Sequence, residues 1–501
     1  MQKVVPERIC LIIPPSIFLL DERVFMSLGV LKVAAVLEKM GSKVEMLDLS
    51  GVSNYLDVVR AHVKNSKSEI FGITATTPLM PATTEILNAI KDVNGRARVI
   101  LGGPHITLVN AAYKKEIRGG GVVGRAVQAM RQAERMFDVL VAGDGEESIF
   151  FACDPNAPKL VDADDPRSNL FLTNSMLTGL PFPARHLIDV SSYHYSIEGV
   201  PALSLIAQLG CPFGCGFCGG RESPMLRKIR TRTSENIVDE IVHLYKDYGV
   251  KGFMMYDDEL NVNKKMIELM NLITKTQKDL GVEWRFRGFI KAQLFNDEQA
   301  KAMYEAGFRW ILTGFESGSP RILENINKQA TQDENTRCAE IAKRYNLKVK
   351  ALMSIGHPGE TKESIKETLD WLLTVKPDDL DVTIITCYPG TPYYDQATLD
   401  KNNPGVYTYV YKKTGDRLHQ YEVDYTTVAD YYKGDPNGGY KAYVFTDSLT
   451  AEDLVAEREL VEKTVRETLN IPYYPSSLAI RYEHSMGQMG MIPANILRVS
   501  K

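Results

Sequence analysis

Short, continuous apolar runs alternate with amphipathic stretches over the first ~150 residues, the pattern of strands buried on both faces and separated by helices. The runs predict strands at 9–13, 44–47, 70–74, 99–101 and 139–142, with helices at 28–40, 55–63 and 82–93. Gly41 follows the first helix as a C-terminal stop. Two of the strands run straight into glycine clusters, Gly102-Gly103-Pro104-His105 and Gly143-Asp144-Gly145-Glu146-Glu147. Ligands of parallel α/β sheets bind beyond such carboxyl ends.

Residues 154–200 are richer in Pro, Asp and Asn, with Pro181-Phe182-Pro183 among them, and read as an ordered linker. The alternation then resumes, predicting strands at 203–208, 252–256, 284–289, 310–314, 348–355 and 381–386. Asn296, three residues before Gln299, has the spacing of a capping box at one intervening helix. Nine tyrosines fall between Tyr407 and Tyr443 without a clear period, and Thr450 then opens a helix reaching about Leu469. The tyrosines suit either the packing of an irregular cap or the lining of a substrate cavity, since loops over barrel mouths carry specificity. The expected architecture is α/β: a doubly wound, Rossmann-like parallel sheet in 1–160, a linker in 161–200, a partial (β/α)6 TIM-like barrel in 201–400, and a small α+β cap in 401–501.

A length of 501 residues with 44% apolar and 24% charged positions is that of a globular chain with two or three cores. A net charge of −4 gives no field favouring nucleic acid or an anionic membrane, and neither is expected as a partner. Lys3 and Arg8 precede an apolar stretch at 9–20 that superficially resembles a secretory signal. Pro14 and Pro15 break it, and Asp21, Glu22 and Arg23 follow, so a buried first strand and a cytoplasmic location are expected.

The seven cysteines are unevenly spread, with three in the run Cys211-Pro-Phe-Gly-Cys215-Gly-Phe-Cys218 directly after a predicted strand. Three thiolates on one tight loop can hold three irons of a cubane cluster and leave the fourth open. Gly210, Gly214 and Gly216 let the loop wrap such a cluster. The alternative is a zinc knuckle, which needs a fourth protein ligand; none lies nearby, and His243 belongs to the following helix. Cys10, Cys153, Cys338 and Cys387 read as plain thiols.

With this motif, residues 200–400 resemble the radical S-adenosylmethionine (SAM) superfamily. That resemblance implies that Cys211, Cys215 and Cys218 ligate one 4Fe–4S cluster, whose open iron chelates SAM for one-electron cleavage to a 5′-deoxyadenosyl radical. It also implies an electron donor such as flavodoxin or ferredoxin. Carried along the chain, it places Phe217 beside the cofactor and Asp257-Asp258 near the methionine ammonium. Glu316 and Ser317 fall in Gly314-Phe315-Glu316-Ser317-Gly318-Ser319, which resembles the family's ribose-binding loop, and Ser354 opens the strand-five loop ending in His357-Pro358-Gly359-Glu360. Tyr388-Pro389-Gly390-Thr391-Pro392 matches the strand-six loop. His357 replaces an apolar residue usual in the family, and Gln208 a frequent basic one.

Ahead of that barrel, the first domain resembles the cobalamin-binding domain of the cobalamin-dependent subclass. The resemblance places the corrinoid against Ser27 and Leu28, Thr74 and Thr76, Gly102, Gly103 and His105, and Gly143, Gly145 and Glu146. The D-x-H-x-x-G motif that supplies a lower histidine ligand to cobalt is not found, which implies a corrinoid without lower histidine ligation. His105 is expected in a separate loop.

The combined resemblance implies a radical methyltransferase that moves a methyl group from methylcobalamin to an unactivated substrate carbon; no further catalytic side chain is assigned. The alternative is an oxidative cyclase resembling the anaerobic magnesium-protoporphyrin monomethyl ester cyclase. A tRNA methylthiotransferase and a corrinoid-binding sensor fit less well, the latter because the three-cysteine loop and Glu316 are intact. A small molecule or a peptide or protein side chain is the expected substrate.

Overall fold

The computed structural model describes residues 2–16, 22–121, 123–431, 440–472 and 500. Tyr432, residues 17–20 of the apolar N-terminal run with Asp21 after them, and residues 473–499 of the expected cap lie outside the described residues.

Six strands form the first sheet: β1 (Arg8–Ile13), β2 (Lys43–Asp48), β3 (Ile70–Thr74), β4 (Arg98–Gly102), β5 (Val139–Ala142) and β6 (Leu160–Asp162). All neighbours are parallel, in the order β2-β1-β3-β4-β5-β6. Six helices accompany them: α1 (Leu28–Lys39), α2 (Tyr55–Asn65), α3 (Met80–Val93), α4 (Pro104–Arg118), α5 (Arg125–Met136) and α6 (Gly145–Ala152). Side chains of β1 alternate between two apolar layers, as a pleated strand requires. Ile9, Leu11 and Ile13 meet α1 and α6, while Cys10 and Ile12 meet the face covered by α2 to α5. The chain leaves β1 for β2 on one side and later crosses to β3 on the other, which opens a crevice at the strands' carboxyl ends. β6 falls where the sequence suggests the start of a linker; its three residues at a sheet edge are too few to show a period.

The second sheet is a curled half-barrel of seven strands. Its members are β7 (Ser196–Ile197), β8 (Val200–Leu205), β11 (Gly252–Met255), β12 (Arg285–Phe289), β13 (Phe308–Glu316), β14 (Lys348–Ile355) and β15 (Asp379–Ile384), while β9 (Gln208–Leu209) and β10 (Arg230–Thr231) pair separately. Six of the seven are parallel, and β7 is an antiparallel edge that the apolar pattern did not predict. β8 stops earlier than its apolar run because the N–H groups of Ala207 and Gln208 donate to the Asp257 carboxylate instead of continuing the ladder. The helix Ala451–Leu469 covers the β15 edge, where Arg458 Nε donates to Val382 O (2.8 Å) and Arg466 Nη1 to Asp379 Oδ1 (3.1 Å). Thr450 caps that helix in a reciprocal box with Asp453. Asn296 makes only half of its expected box, accepting from Gln299 N without a return bond.

The tyrosine-rich segment is not irregular. It carries an antiparallel sheet of β16 (Thr398–Leu399), β17 (Val406–Val410), β18 (Arg417–Tyr421) and β19 (Val444–Phe445). Arg125 of α5 is sandwiched between the rings of Tyr394 and Tyr407, 3.6 and 3.8 Å from their centroids, which ties this sheet to the first domain. A second tie follows the cysteine loop: Arg230 pairs with Asp144 at 2.5 Å, both almost fully buried, and Ser223 Oγ and Met225 N each donate to Asp164 Oδ1 at 2.8 Å. No helix among the described residues is long and apolar enough to cross a membrane.

Candidate functional site

The cysteine loop stands at the carboxyl end of β8 and is fixed by its neighbours rather than by its own short sequence. Asp257 Oδ1 accepts from the amides of Ala207 and Gln208, and Asp258 Oδ2 from Gly210 N (3.2 Å). The Arg221 guanidinium donates to the carbonyls of Cys211 (3.3 Å), Phe213 and Gly219 (3.4 Å), closing the loop around a buried positive charge. Gly216 is obligatory at its place, since a side chain there would collide with the Tyr393 ring. Burial pushes the Cys218 thiol up to about 12, with Arg221 opposing.

Behind the loop runs a buried polar chain. Glu316 has a left-handed backbone (φ 64°) at the end of β13, an unfavourable conformation maintained by its surroundings. Its Oε1 accepts from Lys328 Nζ (2.7 Å) and its Oε2 from Ser354 Oγ (2.7 Å). Burial alone would raise the Glu316 carboxyl, but the charge and hydrogen bond of Lys328, with Ser354, hold it below its ordinary value. Ser354 Oγ spends its proton on Glu316 and accepts from His357 Nε2 (2.8 Å), and His357 Nδ1 faces Tyr393 Oη at 3.3 Å. Burial pushes His357 down to about 3, so the ring is neutral, and Phe217 packs edge-on against it with centroids 5.5 Å apart. Ser317, by contrast, makes its hydrogen bonds to Thr368 Oγ1 (3.0 Å), on the helix Lys362–Val375, and to Ser319 N of its own loop.

Three groups at this mouth carried no motif. Lys291 Nζ donates to Lys328 O (3.0 Å) and lies over the Phe213 ring, and Lys328 holds Glu316. Glu259, next after the predicted acidic pair, has no hydrogen bond or ion pair from its carboxylate among the described residues; its enclosure raises it to about 7, with Lys328 and Lys291 opposing. Only the topology brings these lysines to the cysteines, so no local spacing could have singled them out.

At the crevice of the first sheet lies a cavity of about 500 Å³, in the ordinary range for a small-molecule pocket. Ser27, Leu28, Thr74, Thr76, Gly102, Gly103, Gly143, Gly145 and Glu146 all reach its wall. His105 does not. It is the second residue of α4 rather than part of a loop, its Nδ1 lies 3.1 Å from Thr77 Oγ1, and burial lowers it to about 4. The two adjacent glycines differ: a side chain at Gly103 would meet Thr74 Oγ1 at 2.7 Å and Ala75 N at 2.8 Å, whereas nothing lies within 4 Å of one at Gly102. Gly103 therefore serves the contact between two loops, and Gly102 leaves room in the cavity. Buried Lys32 and Glu146 line the wall without an ion pair among the described residues. Burial lowers Lys32 despite Glu146, and raises Glu146 further with Asp144. The far wall belongs to the barrel: Ile206 and Leu209, just ahead of Cys211, and Tyr256, just ahead of Asp257.

Residues 205–372 match the radical SAM superfamily, and residues 22–134 match the B12 binding domain. The chain is 28% identical over 344 residues to an uncharacterized methyltransferase of Pyrococcus horikoshii, a match spanning 67% of this chain and 70% of that one. It is 26% identical over 381 residues to the anaerobic magnesium-protoporphyrin IX monomethyl ester cyclase of Rubrivivax gelatinosus, covering 72% of this chain and 64% of the cyclase. Among solved structures, the radical SAM methyltransferase TsrM of Kitasatospora setae, with tryptophan and a SAM analogue bound, superposes over 97% of this chain and 94% of its own with a TM-score of 0.68. At 16% identity that likeness is one of fold.

Proposed function

We propose that this chain, which carries a B12-binding domain followed by a radical SAM domain, is a cobalamin-dependent radical SAM methyltransferase acting on an unactivated carbon. The observation that carries the reading is the shared wall: Leu209 and Tyr256 line the first-domain cavity while their near neighbours Cys211 and Asp257 build the barrel mouth. When bound, the cluster and SAM supply hydrogen abstraction from the substrate, and the corrinoid supplies the methyl group delivered to the resulting carbon.

The residues present fit these groups. Cys211, Cys215 and Cys218 hold the cluster, with Arg221 and Lys291 offsetting its thiolate charge. Glu316, kept ionised by Lys328, accepts from the ribose hydroxyls. Asp257 serves the backbone and Asp258 holds Gly210, which leaves Glu259 to face the methionine ammonium. Ser317 supports its loop, and Phe217 braces His357. In the cavity, Thr74, Thr76 and the open Gly102 receive the nucleotide tail, and Lys32 and Glu146 offer a donor and an acceptor to the amide-bearing corrin rim. An external one-electron donor such as flavodoxin or ferredoxin completes the system, and the substrate is a small molecule or a peptide or protein side chain.

The test is composition. Protein made with hydroxocobalamin and reconstituted anaerobically retains about four irons and one cobalt per chain. Stoichiometric zinc without iron, or no cobalt, overturns the reading. Product mass separates it from the cyclase: one added methylene unit for methylation, oxygen with ring closure for cyclisation.

A further inference from the structure

On the face of the first sheet covered by α2 to α5, three side chains of metal-ligating type converge, none of them in the cavity wall. Cys10 of β1 and Glu45 of β2 are direct partners in the parallel register, so their side chains leave the sheet on the same face. His62 comes from α2, which packs across that face. His62 Nε2 lies 3.4 Å from Cys10 Sγ and 3.0 Å from Glu45 Oε2, and the three donor atoms all fall within 4.8 Å of one another. Ser66 Oγ donates to the same Glu45 oxygen at 2.6 Å and orients it.

Protons alone satisfy this centre poorly. One ring nitrogen faces both a sulfur and a carboxylate oxygen, and an N–H there serves only one of them well. A cation at the centre of the three satisfies all of them at once. We propose that Cys10, Glu45 and His62 form a mononuclear site for a zinc-like divalent cation, separate from the cysteine loop. A thiolate, an imidazole and a carboxylate are the donor set of zinc rather than of calcium or magnesium. Cys10 is fully buried, whereas the side chains of Glu45 and His62 are 26% and 27% exposed, so the fourth position opens to water. Binding replaces the Cys10 thiol proton, which leaves to solvent, and puts the His62 proton on Nδ1. Such an ion staples α2 to the paired strands β1 and β2 and takes no part in the chemistry at the barrel mouth.

The test uses the reconstituted full chain, dialysed against zinc and analysed for metals and by X-ray absorption at the zinc edge, to which the iron cluster is silent. One zinc per chain with one sulfur and otherwise nitrogen or oxygen neighbours is expected. Cys10→Ala and the milder His62→Gln, at a part-exposed position, should each weaken zinc binding on the order of a hundredfold with iron content unchanged. Absence of zinc at micromolar concentration, a zinc with three sulfur neighbours, or full retention in both variants overturns the site.

Discussion

The barrel mouth and the first-domain cavity both stand at strand ends, yet they are prepared for ligands in opposite ways. At the mouth, charge is arranged in advance: Glu316 is gripped by Lys328 and Ser354, and Ser354 by His357. In the cavity, space is what is arranged. Gly29 and Gly102 leave room where side chains would stand, and Lys32 and Glu146 remain without ion pairs among the described residues. A preorganised polar site is damaged most by deleting one charge, and a shaped cavity by filling it.

The largest effect should come from the cysteines. Replacing Cys211, Cys215 and Cys218 by Ala should remove all iron and all deoxyadenosine formation, while cobalt stays bound because the cavity wall is untouched. Gly102→Leu should do the reverse, expelling the corrinoid and sparing about four irons. Loss of both metals in either variant would erase the contrast between the sites.

Glu316→Ala should keep the cluster and weaken SAM binding roughly ten- to a hundredfold, since charge-assisted hydrogen bonds contribute about 1.5–3 kcal/mol. An unchanged dissociation constant would take Glu316 out of the ribose site. Gly103→Ala sharpens the comparison from the other side. With φ at +97° and Ala75 N only 2.8 Å from the added carbon, it should cost about 1–3 kcal/mol of stability, read by denaturant unfolding, with corrinoid affinity in the surviving fold little changed.

Smaller effects concern protons. Glu259 is protonated in the free protein below about pH 7, and a cationic ligand prefers its ionised form. SAM affinity should therefore rise as pH increases from 6 to 8, and Glu259→Gln should flatten that rise. His105→Ala should leave the corrinoid spectrum unchanged, because its ring faces Thr77 and not the cavity; a shifted spectrum would make His105 a cobalt ligand.

Much of this organisation was legible along the chain, and the reasons are local. Apolar runs such as Ile9 to Ile13 mark strands buried on both faces, and the spacing of Cys211, Cys215 and Cys218 with Glu316 beyond marks the mouth. What failed to appear depends on distant residues. β6, β7, β16 and β19 have only two or three residues each, too few to show a period, and β17 and β18 bury aromatic and polar residues such as Tyr409, His419 and Gln420 where an apolar run would mark a strand. Lys291, Lys328 and Glu259 meet the cysteines only through the curl of the barrel, and the unequal tasks of Gly102 and Gly103 follow from where the Thr74–Ala75 turn passes.

The central claim is that SAM at the mouth and a corrinoid in the cavity act on a common methyl group across one shared wall. It is tested most directly by incubating the reduced, reconstituted full chain with SAM carrying a deuterated methyl group and weighing the extracted corrinoid by mass spectrometry. The account predicts a corrinoid that has gained the deuterated methyl, with the gain lost in Gly102→Leu. A cobalt-loaded protein whose corrinoid stays unlabelled while SAM is consumed would contradict it.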